Sequence, residues 1–320
     1  MRDRRVTVLG ASGFIGRYVV KRLAAEGAVI TAVSRHASDA GYLKPMGDVG
    51  QIALIEADVR DDRALAAVTA HADVVINLVG ILFERGRQRF AALHAELPGR
   101  LANLARAAGV KQLVHLSALG ADAAAPALYA RTKSAGEAAL RAGYPQATIL
   151  RPSIVFGPED AFFNLFAALA RYSPVLPLIG GGMTRFQPVY VGDVADAVLA
   201  VLARPDAAGK TFELAGPRTF TFKELMQLML REIGRPRWLV SVPFALASFE
   251  AWFFEWLPVP LLTRDQVRML MRDNVAAGGA AGLGDLGITP TALELVLPTY
   301  LDRFRRGGRK IPLRTTIQAP

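Results

Sequence analysis

A tyrosine and a lysine four residues apart are the first side chains in this sequence that could do chemistry. The run Tyr129-Ala-Arg-Thr-Lys133 sets a phenol and an ammonium on one face of a helix, because residues four apart are neighbours there. A nearby ammonium favours the phenolate, so we expect the pKa of Tyr129 to be lowered toward the working range. Ser117 lies upstream, after an apolar run, and could hydrogen-bond a substrate carbonyl. These three residues form the candidate catalytic group.

A glycine-rich turn near the amino terminus could hold a diphosphate. It follows the apolar run Val6–Leu9 and precedes a helical pattern. Glycines at these places permit a tight turn and a close approach of backbone to phosphate, and the pyrophosphate then sits on the free N–H groups at the start of the helix. The pattern predicts a dinucleotide site whose residues are Gly10, Ser12, Gly13, Phe14, Ile15 and Gly16.

The residues after the second predicted strand select the cofactor. NAD sites usually place an acidic residue there to accept from the ribose 2′-hydroxyl, but this sequence has Ser34-Arg35, and its first carboxylate is Asp39. The Arg35 guanidinium can pair with a 2′-phosphate and Ser34 can donate to it. Arg17 could assist. The pattern favours NADPH (NADP) over NAD; the alternative is that Arg35 is a solvated charge without a ligand.

Two more loops, each after a predicted strand, would line the same crevice. In the first, Asp58 could accept from the adenine amino group. In the second, Gly80 would let the ribose approach the backbone. From these loops we expect cofactor contacts by Asp58, Val59, Asn77, Leu78, Val79 and Gly80.

Composition excludes several kinds of site. The chain has no cysteine, which excludes disulfides, thiol nucleophiles and Cys-ligated iron–sulfur clusters. Its four histidines are scattered without an H-x-x-x-H spacing, so no metal site is predicted. The net charge of +10 points to an anionic partner or another cause that must be identified. No nucleic-acid motif accompanies this charge, so no nucleic-acid partner is expected. The excess is concentrated near the carboxyl terminus, in Arg303, Arg305, Arg306, Arg309, Lys310 and Arg314.

Short β-branched runs alternate with Ala/Leu-rich helical stretches along the first two thirds of the chain. This alternation predicts an α/β fold, a Rossmann-type doubly wound parallel sheet with a smaller, mainly helical C-terminal domain. We place the Rossmann domain at residues 1–216, with insertions from the second domain after about residue 157, and the helical domain with its basic tail at 217–320. The predicted strands are Val6–Leu9, Val29–Val33, Ile52–Glu56, Val74–Leu78, Gln112–Leu116, Ala147–Leu150 and Thr211–Leu214.

Neither end of the chain nor its most apolar stretch predicts a targeting or membrane-spanning segment. Met1–Arg5 runs directly into the first apolar run, which leaves no room for a signal or transit peptide. The stretch Val240–Leu262 is interrupted by glutamates and prolines and is too broken to span a bilayer. We therefore expect the protein to be made where it works, in a bacterial cytoplasm or, for a processed chain, an organelle.

Taken together, these motifs resemble the extended or atypical short-chain dehydrogenase/reductase superfamily. The resemblance rests on Gly10–Gly16, Ser117, the Tyr129/Lys133 pair and the run Arg151–Gly157, and it covers about residues 5–215. It implies that the tyrosine is the acid/base, that the lysine holds the ribose and that the serine orients substrate. It also implies that Pro152 and Ser153 touch the nicotinamide end of the cofactor.

The second half of the sequence is similar to a narrower family, the NADPH-binding accessory subunits of respiratory complex I. That resemblance implies a peripheral subunit with a structural or assembly role and a tightly bound NADPH outside the main electron path. Its partners would be peripheral-arm and membrane-arm subunits, on the cytoplasmic face of a bacterial inner membrane or the matrix side in mitochondria. The segments that carry the likeness are Gln187–Val194, Pro205–Pro217, Leu262–Val267 and Leu283–Pro290.

A second function stays open, because the catalytic group is complete. The chain could be an NADP-dependent reductase, epimerase or dehydratase that acts on a sugar nucleotide, a quinone precursor or a lipid-like substrate. Whether it is an enzyme is not decided by these residues.

An aromatic stripe in the C-terminal part indicates a docking surface. The stripe has helical spacing and arginines on both sides, which suits a membrane interface with anionic lipid or a hydrophobic partner. The alternative is that it forms the core of the smaller domain. Thr263 and Gln266 predict a capping box for the next helix. The stripe consists of Leu246, Phe249, Trp252, Phe253 and Trp256.

Overall fold

A computed structural model describes residues 1–307 as strands that alternate with helices, followed by a mainly helical C-terminal part. Of the basic tail, Arg309, Lys310 and Arg314 lie outside the described residues. The strands are β1 Arg5–Leu9, β2 Val29–Ser34, β3 Ile52–Glu56, β4 Val74–Asn77, β5 Gln112–Leu116, β6 Thr148–Pro152, β7 Val155–Phe156, β8 Val175–Ile179, β9 Arg185–Phe186, β10 Val189–Tyr190, β11 Thr211–Leu214, β12 Phe220–Thr221 and β13 Trp238–Val242. The α-helices are α1 Phe14–Ala25, α2 Asp62–Thr69, α3 Leu97–Ala107, α4 Leu128–Gly143, α5 Phe162–Tyr172, α6 Val191–Ala203, α7 Phe222–Glu232, α8 Phe244–Phe254, α9 Arg264–Met269 and α10 Leu293–Leu301.

A parallel sheet in the order β11-β6-β5-β4-β1-β2-β3 is the centre of the described chain. Its strands read as near-continuous apolar runs because helices cover both of its faces. Strand order reverses between β1 and β4, and ligands of doubly wound sheets bind in the crevice outside the carboxyl ends of such strands. The predicted Rossmann-type fold is confirmed, and each predicted sheet strand lies within two residues of an observed one.

Separate apolar clusters support the sheet and the C-terminal part. Val8, Ile30 and Val114 belong to a cluster that packs α1 and α6 against the sheet. Phe163 of α5, Phe222 of α7 and Leu297 of α10 share a second cluster. Segments on both sides of residue 216 therefore contribute to this second core, whereas α6 and β11 belong to the first one.

The C-terminal part contains strands that the sequence reading did not include. β13 pairs in parallel with β8, in the register Trp238↔Val175 to Val242↔Ile179. The run Trp238–Val242 lies beyond Gly216, where helical patterns dominate the sequence and a mainly helical domain is predicted. Length and β-branching were the available signals for a strand there.

The segment Phe90–Ala108, which has a helical pattern in the sequence, is not one regular α-helix. Residues Ala91–Glu96 form a π-helical turn before α3 begins. The turn lies close against α4, since a Cβ on Gly136 would lie 1.8 Å from the backbone oxygen of His94. Such turns are frequent at functional sites, and this one carries a histidine into the crevice.

The aromatic stripe lies on the surface, so the alternative that it forms a core is wrong. Phe249 is 60% exposed and Trp256, just beyond α8, is 80% exposed. Small residues of α8, Ala247 and Ala251, are the ones that pack inward, in a cluster with Val267 of α9. The capping box of Thr263 and Gln266 at the start of α9 is confirmed. Within residues 1–307, no helix is long and apolar enough to cross a bilayer.

Candidate functional site

The glycine turn between β1 and α1 packs so closely that side chains at Gly10 or Gly16 would not fit. Gly10 has φ +80°, a conformation that favours glycine, and its N–H donates to Val33 O at 3.2 Å. A Cβ on Gly16 would lie 2.3 Å from Gly10 O. α1 begins at Phe14 with Gly13 as its N-cap and no side-chain cap, so its first N–H groups remain available to an anion.

Side chains near this turn bind to one another and define its rim. The hydroxyls of Ser12 and Ser34 lie 2.9 Å apart, and the Tyr42 hydroxyl donates to Ser12 O at 2.6 Å. Arg17 lies over the Tyr42 ring, 4.9 Å from its centroid, and pairs with Glu159 at 3.2 Å. Arg17 is therefore directed to Glu159, whereas we had suggested that it assists with a 2′-phosphate.

Charged side chains lie at the carboxyl ends of β2 and β3, where the adenosine of a dinucleotide would bind. Arg35 follows β2 and is half-buried, and burial together with the neighbouring charge of Arg60 lowers the pKa of its guanidinium. Asp58 follows β3, and its carboxylate accepts from Arg60 Nε at 2.8 Å and Nη2 at 2.5 Å. Hydrogen bonds from Arg60 lower the pKa of Asp58 to about 2. Arg60 was missed in the sequence, where only its position two residues after Asp58 could have indicated it.

The end of β4 and the loop after it lie close to Lys133, the candidate catalytic lysine. Asn77 is fully buried, its amide nitrogen lies 3.1 Å from His115 Nδ1, and its side-chain oxygen accepts from Val79 N at 3.1 Å. The Asn77 side chain thus shapes the loop rather than facing the crevice. A Cβ on Gly80 would lie 3.4 Å from Lys133 Nζ. Because Gly80 has no side chain, the space between its backbone and Lys133 stays open. The prediction that a ribose approaches this backbone requires such a space.

The three predicted catalytic residues meet at the carboxyl end of β5. Lys133 Nζ donates to Leu116 O at 3.3 Å and lies 5.9 Å from the centroid of the Tyr129 ring. Ser117, the next residue after Leu116, is buried and its hydroxyl has no partner within the described chain. This hydroxyl is thus available to hydrogen-bond a bound molecule.

Our prediction that Lys133 lowers the pKa of Tyr129 is wrong. Burial raises that pKa to about 12, because desolvation disfavours the charged phenolate. Burial also lowers the pKa of Lys133 to about 8, against the opposing effect of Glu137. Tyr129 is therefore a protonated hydroxyl at neutral pH that can donate a hydrogen bond.

His94 is a site residue that sequence reasoning missed. Its Nε2 accepts from Ile81 N at 3.0 Å, and its ring meets the Tyr129 ring edge to face at 5.2 Å between centroids. Nε2 is an acceptor here, so Nδ1 carries the hydrogen, and that atom is buried without a partner in the described chain. Burial, with the charges of Lys133 and His115, lowers the pKa of His94 to about 2. Helical periodicity cannot predict the position of the His94 side chain, because that position depends on the π-helical turn.

Pro152, the last residue of β6, and Ser153 are predicted to touch nicotinamide. The loop that begins at Ser153 is held by hydrogen bonds to Asn274 in the C-terminal part. The Ser153 hydroxyl donates to Asn274 Oδ1 at 2.7 Å, and Ile154 N donates to the same oxygen at 3.0 Å. Asn274 O accepts from Gln187 N at 3.0 Å. Asn274 is thus a support residue that no local sequence signal could identify.

These features fit a nicotinamide dinucleotide. The glycine turn leaves room and N–H donors for the diphosphate, Gly80 leaves room beside Lys133 for a ribose, and Ser117 supplies an unused hydroxyl. When bound, such a cofactor would supply or accept a hydride. Residues Lys133 and Tyr129 would hold its nicotinamide end by hydrogen bonds.

Comparisons with known proteins agree with this geometry. Residues 6–215 match the NAD dependent epimerase/dehydratase family. The mitochondrial NADH dehydrogenase [ubiquinone] 1 alpha subcomplex subunit 9 of Arabidopsis thaliana is 37% identical, over 94% of this chain and 78% of that protein. A ceramide reductase of Caulobacter vibrioides is 31% identical, over 74% of this chain and 73% of that protein. The crystal structure of the Thermotoga maritima UDP-glucose 4-epimerase superposes with a TM-score of 0.70 at 20% identity, covering 93% of this chain and 97% of that one.

The match in sequence extends well beyond the Rossmann part and into the segments of the C-terminal half. The likeness to the epimerase structure supports the fold alone. The chain therefore belongs to the NAD dependent epimerase/dehydratase family and, within it, to the family of the alpha subcomplex subunit 9 of NADH dehydrogenase.

Proposed function

We propose that this protein is an NADPH-binding accessory subunit of respiratory complex I, with a structural or assembly role where the peripheral and membrane arms meet. The observation that carries this proposal is the likeness to a complex I subunit over 94% of the chain. Its partners would be subunits of both arms. In a bacterium the protein would lie peripherally on the cytoplasmic face of the inner membrane.

NADPH is proposed over NAD because of the charge at the adenosine end. Arg35 takes the place where NAD sites usually carry an acidic residue. It has no carboxylate within ion-pair distance among residues 1–307. A half-buried, unpaired guanidinium is suited to a phosphate monoester.

A cofactor that stays bound would serve a structural role by mass action. A ligand that binds only the folded state stabilises it by about 2.7 kcal/mol when its free concentration is about 100 times Kd. Here the ligand would join the carboxyl ends of β1, β4 and β5, so its binding would hold together the edge from which the C-terminal part extends.

The test is purification of complex I from the native host with a tag on this protein. We expect the other subunits to co-purify and the denatured protein to release NADPH in about one-to-one amount. Recovery of the protein only in a free form, or release of NAD alone, would contradict the proposal.

We further propose that the C-terminal part contacts an anionic lipid surface. Exposed aromatic rings of α8 contact one another, with Phe249 and Phe253 at 5.1 Å and Trp252 and Trp256 at 6.4 Å between centroids. Trp and Phe on an exposed helix face suit the boundary between headgroups and acyl chains. No other part of the described chain covers these rings.

Basic residues beside β13 supply the matching charge. Burial and then the neighbouring charges of Arg237, Arg171 and Arg306 lower the pKa of Arg235. Trp238, at the start of β13, is 76% exposed. Each basic side chain near an anionic membrane contributes about 1 kcal/mol of attraction. By contrast, Arg264 forms an ion pair with Glu255 at 2.9 Å and contributes less free charge.

Vesicle flotation tests this contact. The purified protein should float with vesicles that contain anionic lipid and not with neutral ones, and the double variant Phe249→Ser/Trp252→Ser should lose most of that binding. The matched control is Leu295→Ser, since Leu295 is an exposed apolar residue on α10. Equal flotation of the double variant and the control would reject the lipid contact and favour a protein partner on α8.

A second candidate function is an NADP-dependent reductase, epimerase or dehydratase. The observation that favours it is that Ser117, Tyr129 and Lys133 are all present and converge. If the protein is such an enzyme, a strain that carries Tyr129→Phe should accumulate an unconverted metabolite while complex I stays assembled. An unchanged metabolite profile in that strain would reject the enzyme function.

A further inference from the structure

An aspartate of α9 caps the helix that carries the candidate catalytic tyrosine and lysine. Asp265 Oδ1 accepts from Leu128 N at 2.6 Å, and Oδ2 accepts from Tyr129 N at 2.9 Å. The two donors are the first residues of α4, and they lie 137 and 136 positions away from Asp265 in the sequence. The cap is therefore a contact between the C-terminal part and the Rossmann part.

α4 has no cap from its own segment. Its N-cap residue is Ala127, which has no side-chain oxygen, and its first turn contains no acidic residue. The first N–H groups of a helix have no partner within it, and together they form the positive end of its dipole. A carboxylate that accepts from two of them supplies hydrogen bonds and a matching charge. The side chain of Asp265 is only 15% exposed, so water competes little for these bonds.

The position of Asp265 is fixed on both sides of it along the chain. Val267 packs in an apolar cluster with residues of α8, and Arg272, after α9, forms an ion pair at 2.8 Å with Asp122 in the loop before α4. Arg268 Nη1 lies 3.9 Å from Asp265 Oδ1, at the outer limit of an ion pair. The N–H groups of α4 are therefore the main partners of the Asp265 carboxylate.

Tyr129 lies in the capped turn, and its own N–H is one of the two donors. Its ring contacts the rings of Phe90 at 5.8 Å and His94 at 5.2 Å between centroids, so its backbone and its side chain are both held. Lys133 follows one turn later, with Nζ 5.9 Å from the centroid of that ring. Fraying of the first turn would move the phenol, but it would leave the glycine turn between β1 and α1 in place.

We infer that Asp265 is a positioning residue for Tyr129. Through the cap on α4, the C-terminal part holds the phenol where it hydrogen-bonds the nicotinamide end of the cofactor. This inference rests on the proposed binding of NADPH. It also gives a structural role to the segment Leu262–Val267, which was singled out above only for its likeness to subunits of complex I.

The experiment compares two ligands by calorimetry on the full-length protein freed of nucleotide. One is NADPH; the other is 2′-phospho-ADP, which has the same adenosine end and diphosphate but no nicotinamide riboside. Asp265→Ala should weaken NADPH binding about five-fold, which corresponds to ~1 kcal/mol, the usual cost of a lost N-cap. Its binding of 2′-phospho-ADP should change less than about two-fold, which also shows that the variant is folded. An equal loss for both ligands, or no loss for NADPH, would overturn the inference.

The matched control is Glu294→Ala. Glu294 is an acidic residue in the first turn of α10, as Asp265 is in α9, but its partner is Arg218, at 3.4 Å. This variant should bind both ligands as the wild type does. If it loses as much affinity for NADPH as Asp265→Ala does, the loss is a general effect of changing the C-terminal part and the inference is overturned. Asp265→Asn keeps one acceptor oxygen without the charge, so it should recover part of the lost affinity.

A double variant shows whether the effect passes through the phenol. Two residues that act through one interaction have effects that do not add. In a Tyr129→Phe background, Asp265→Ala should therefore weaken NADPH binding less than about two-fold, because the hydroxyl that it would misplace is already absent. A loss that stays about five-fold in that background would mean that Asp265 acts on another group, and it would overturn the inference.

Nucleotide preference separates failure of this inference from failure of the proposed function. If the wild type binds NADH as tightly as NADPH, the proposed use of NADPH is contradicted, and the same comparison for Asp265 is made with NADH and ADP. If the wild type prefers NADPH but Asp265→Ala binds it normally, only the role of Asp265 is overturned. A wild type that binds NADPH no more tightly than 2′-phospho-ADP would also overturn that role, because the nicotinamide end would then contribute nothing.

Discussion

Nε2 of His94 accepts a hydrogen bond from the backbone N–H of Ile81 at 3.0 Å, which joins the π-helical turn to the loop that contains Gly80. The same ring contacts Tyr129 edge to face and stacks on Phe90 at 5.1 Å between centroids. A neutral imidazole thus connects the predicted ribose loop with the predicted catalytic tyrosine.

The neutral state of His94 predicts a dependence of stability on pH. The unfolded ring takes up a proton near its ordinary pKa of 6.5, whereas the folded one does so only near about 2. The unfolded state therefore binds more protons below pH 6.5, and this residue lowers the free energy of unfolding as pH falls through that value, by about 2 kcal/mol at pH 5. His94→Gln keeps an acceptor for Ile81 N and should flatten the pH profile of stability by that amount in urea titrations.

The control for this prediction is His71→Gln, because His71 is exposed on the surface. It should follow the wild-type profile. Parallel profiles for wild type and His94→Gln between pH 7 and 5 would contradict a buried, neutral His94.

Asp160 predicts a dependence of stability on pH that is opposite in sign to that of His94. Burial raises the pKa of Asp160 to about 6, although Tyr300 and backbone N–H groups donate to it. The folded state here binds the proton more tightly than the unfolded state, so stability is greatest below pH 4 and falls as pH rises through 6, by roughly 3 kcal/mol. Asp160→Asn should remove this loss, measured as the difference in unfolding free energy from wild type at pH 4.5 and 7.5. A constant difference across that range would show that Asp160 does not titrate.

The glycine turn predicts a large effect of one methyl group. In Gly16→Ala the new Cβ would meet backbone oxygens of Gly10 at 2.3 Å and Ala11 at 2.6 Å, so the turn or α1 must shift, at roughly 1–3 kcal/mol. We expect nucleotide binding to fall at least ten-fold in calorimetry (about 1.4 kcal/mol). Gly41→Ala is the control, since a Cβ there meets nothing within 4 Å. Normal binding by Gly16→Ala would reject the placement of the diphosphate.

Tyr129→Phe tests whether the phenol hydroxyl has a structural role in the fold or in holding the cofactor. The ring contacts with Phe90 and His94 persist in the variant, so the free energy of unfolding should change by less than about 1 kcal/mol. Nucleotide release, followed by fluorescence, should quicken only modestly because Lys133 and the glycine turn remain. A fully lost cofactor would mean that the hydroxyl itself anchors the nicotinamide end.

Local signals in the sequence were enough to predict the sheet and to place the candidate site residues at one edge of it. Apolar runs of strand length, each followed by glycine or polar residues, fix where β1 to β6 end, and parallel strands bring those ends to one edge. Gly10, Gly80 and Lys133 were found in this way because their positions follow directly from strand ends and helix spacing.

Other residues depend on contacts between distant segments and gave no such signal. His94 contacts Tyr129 from a π-helical turn, and Gly136 of α4 lies against the backbone of that turn. Asn274 reaches Ser153 across 121 positions. The pKa of Tyr129 depends on how deeply packing buries it, and the Tyr129/Lys133 spacing alone contains no information on burial.

The reach of Asn274 has a consequence for how the protein is made. The loop that follows β6 takes its hydrogen bonds from a residue near the end of the chain, so a nascent polypeptide that has emerged only as far as β11 lacks that support. A stop codon upstream of position 274 would therefore leave the glycine turn and Lys133 in the chain but remove the hydrogen bonds that hold Ser153 and Ile154.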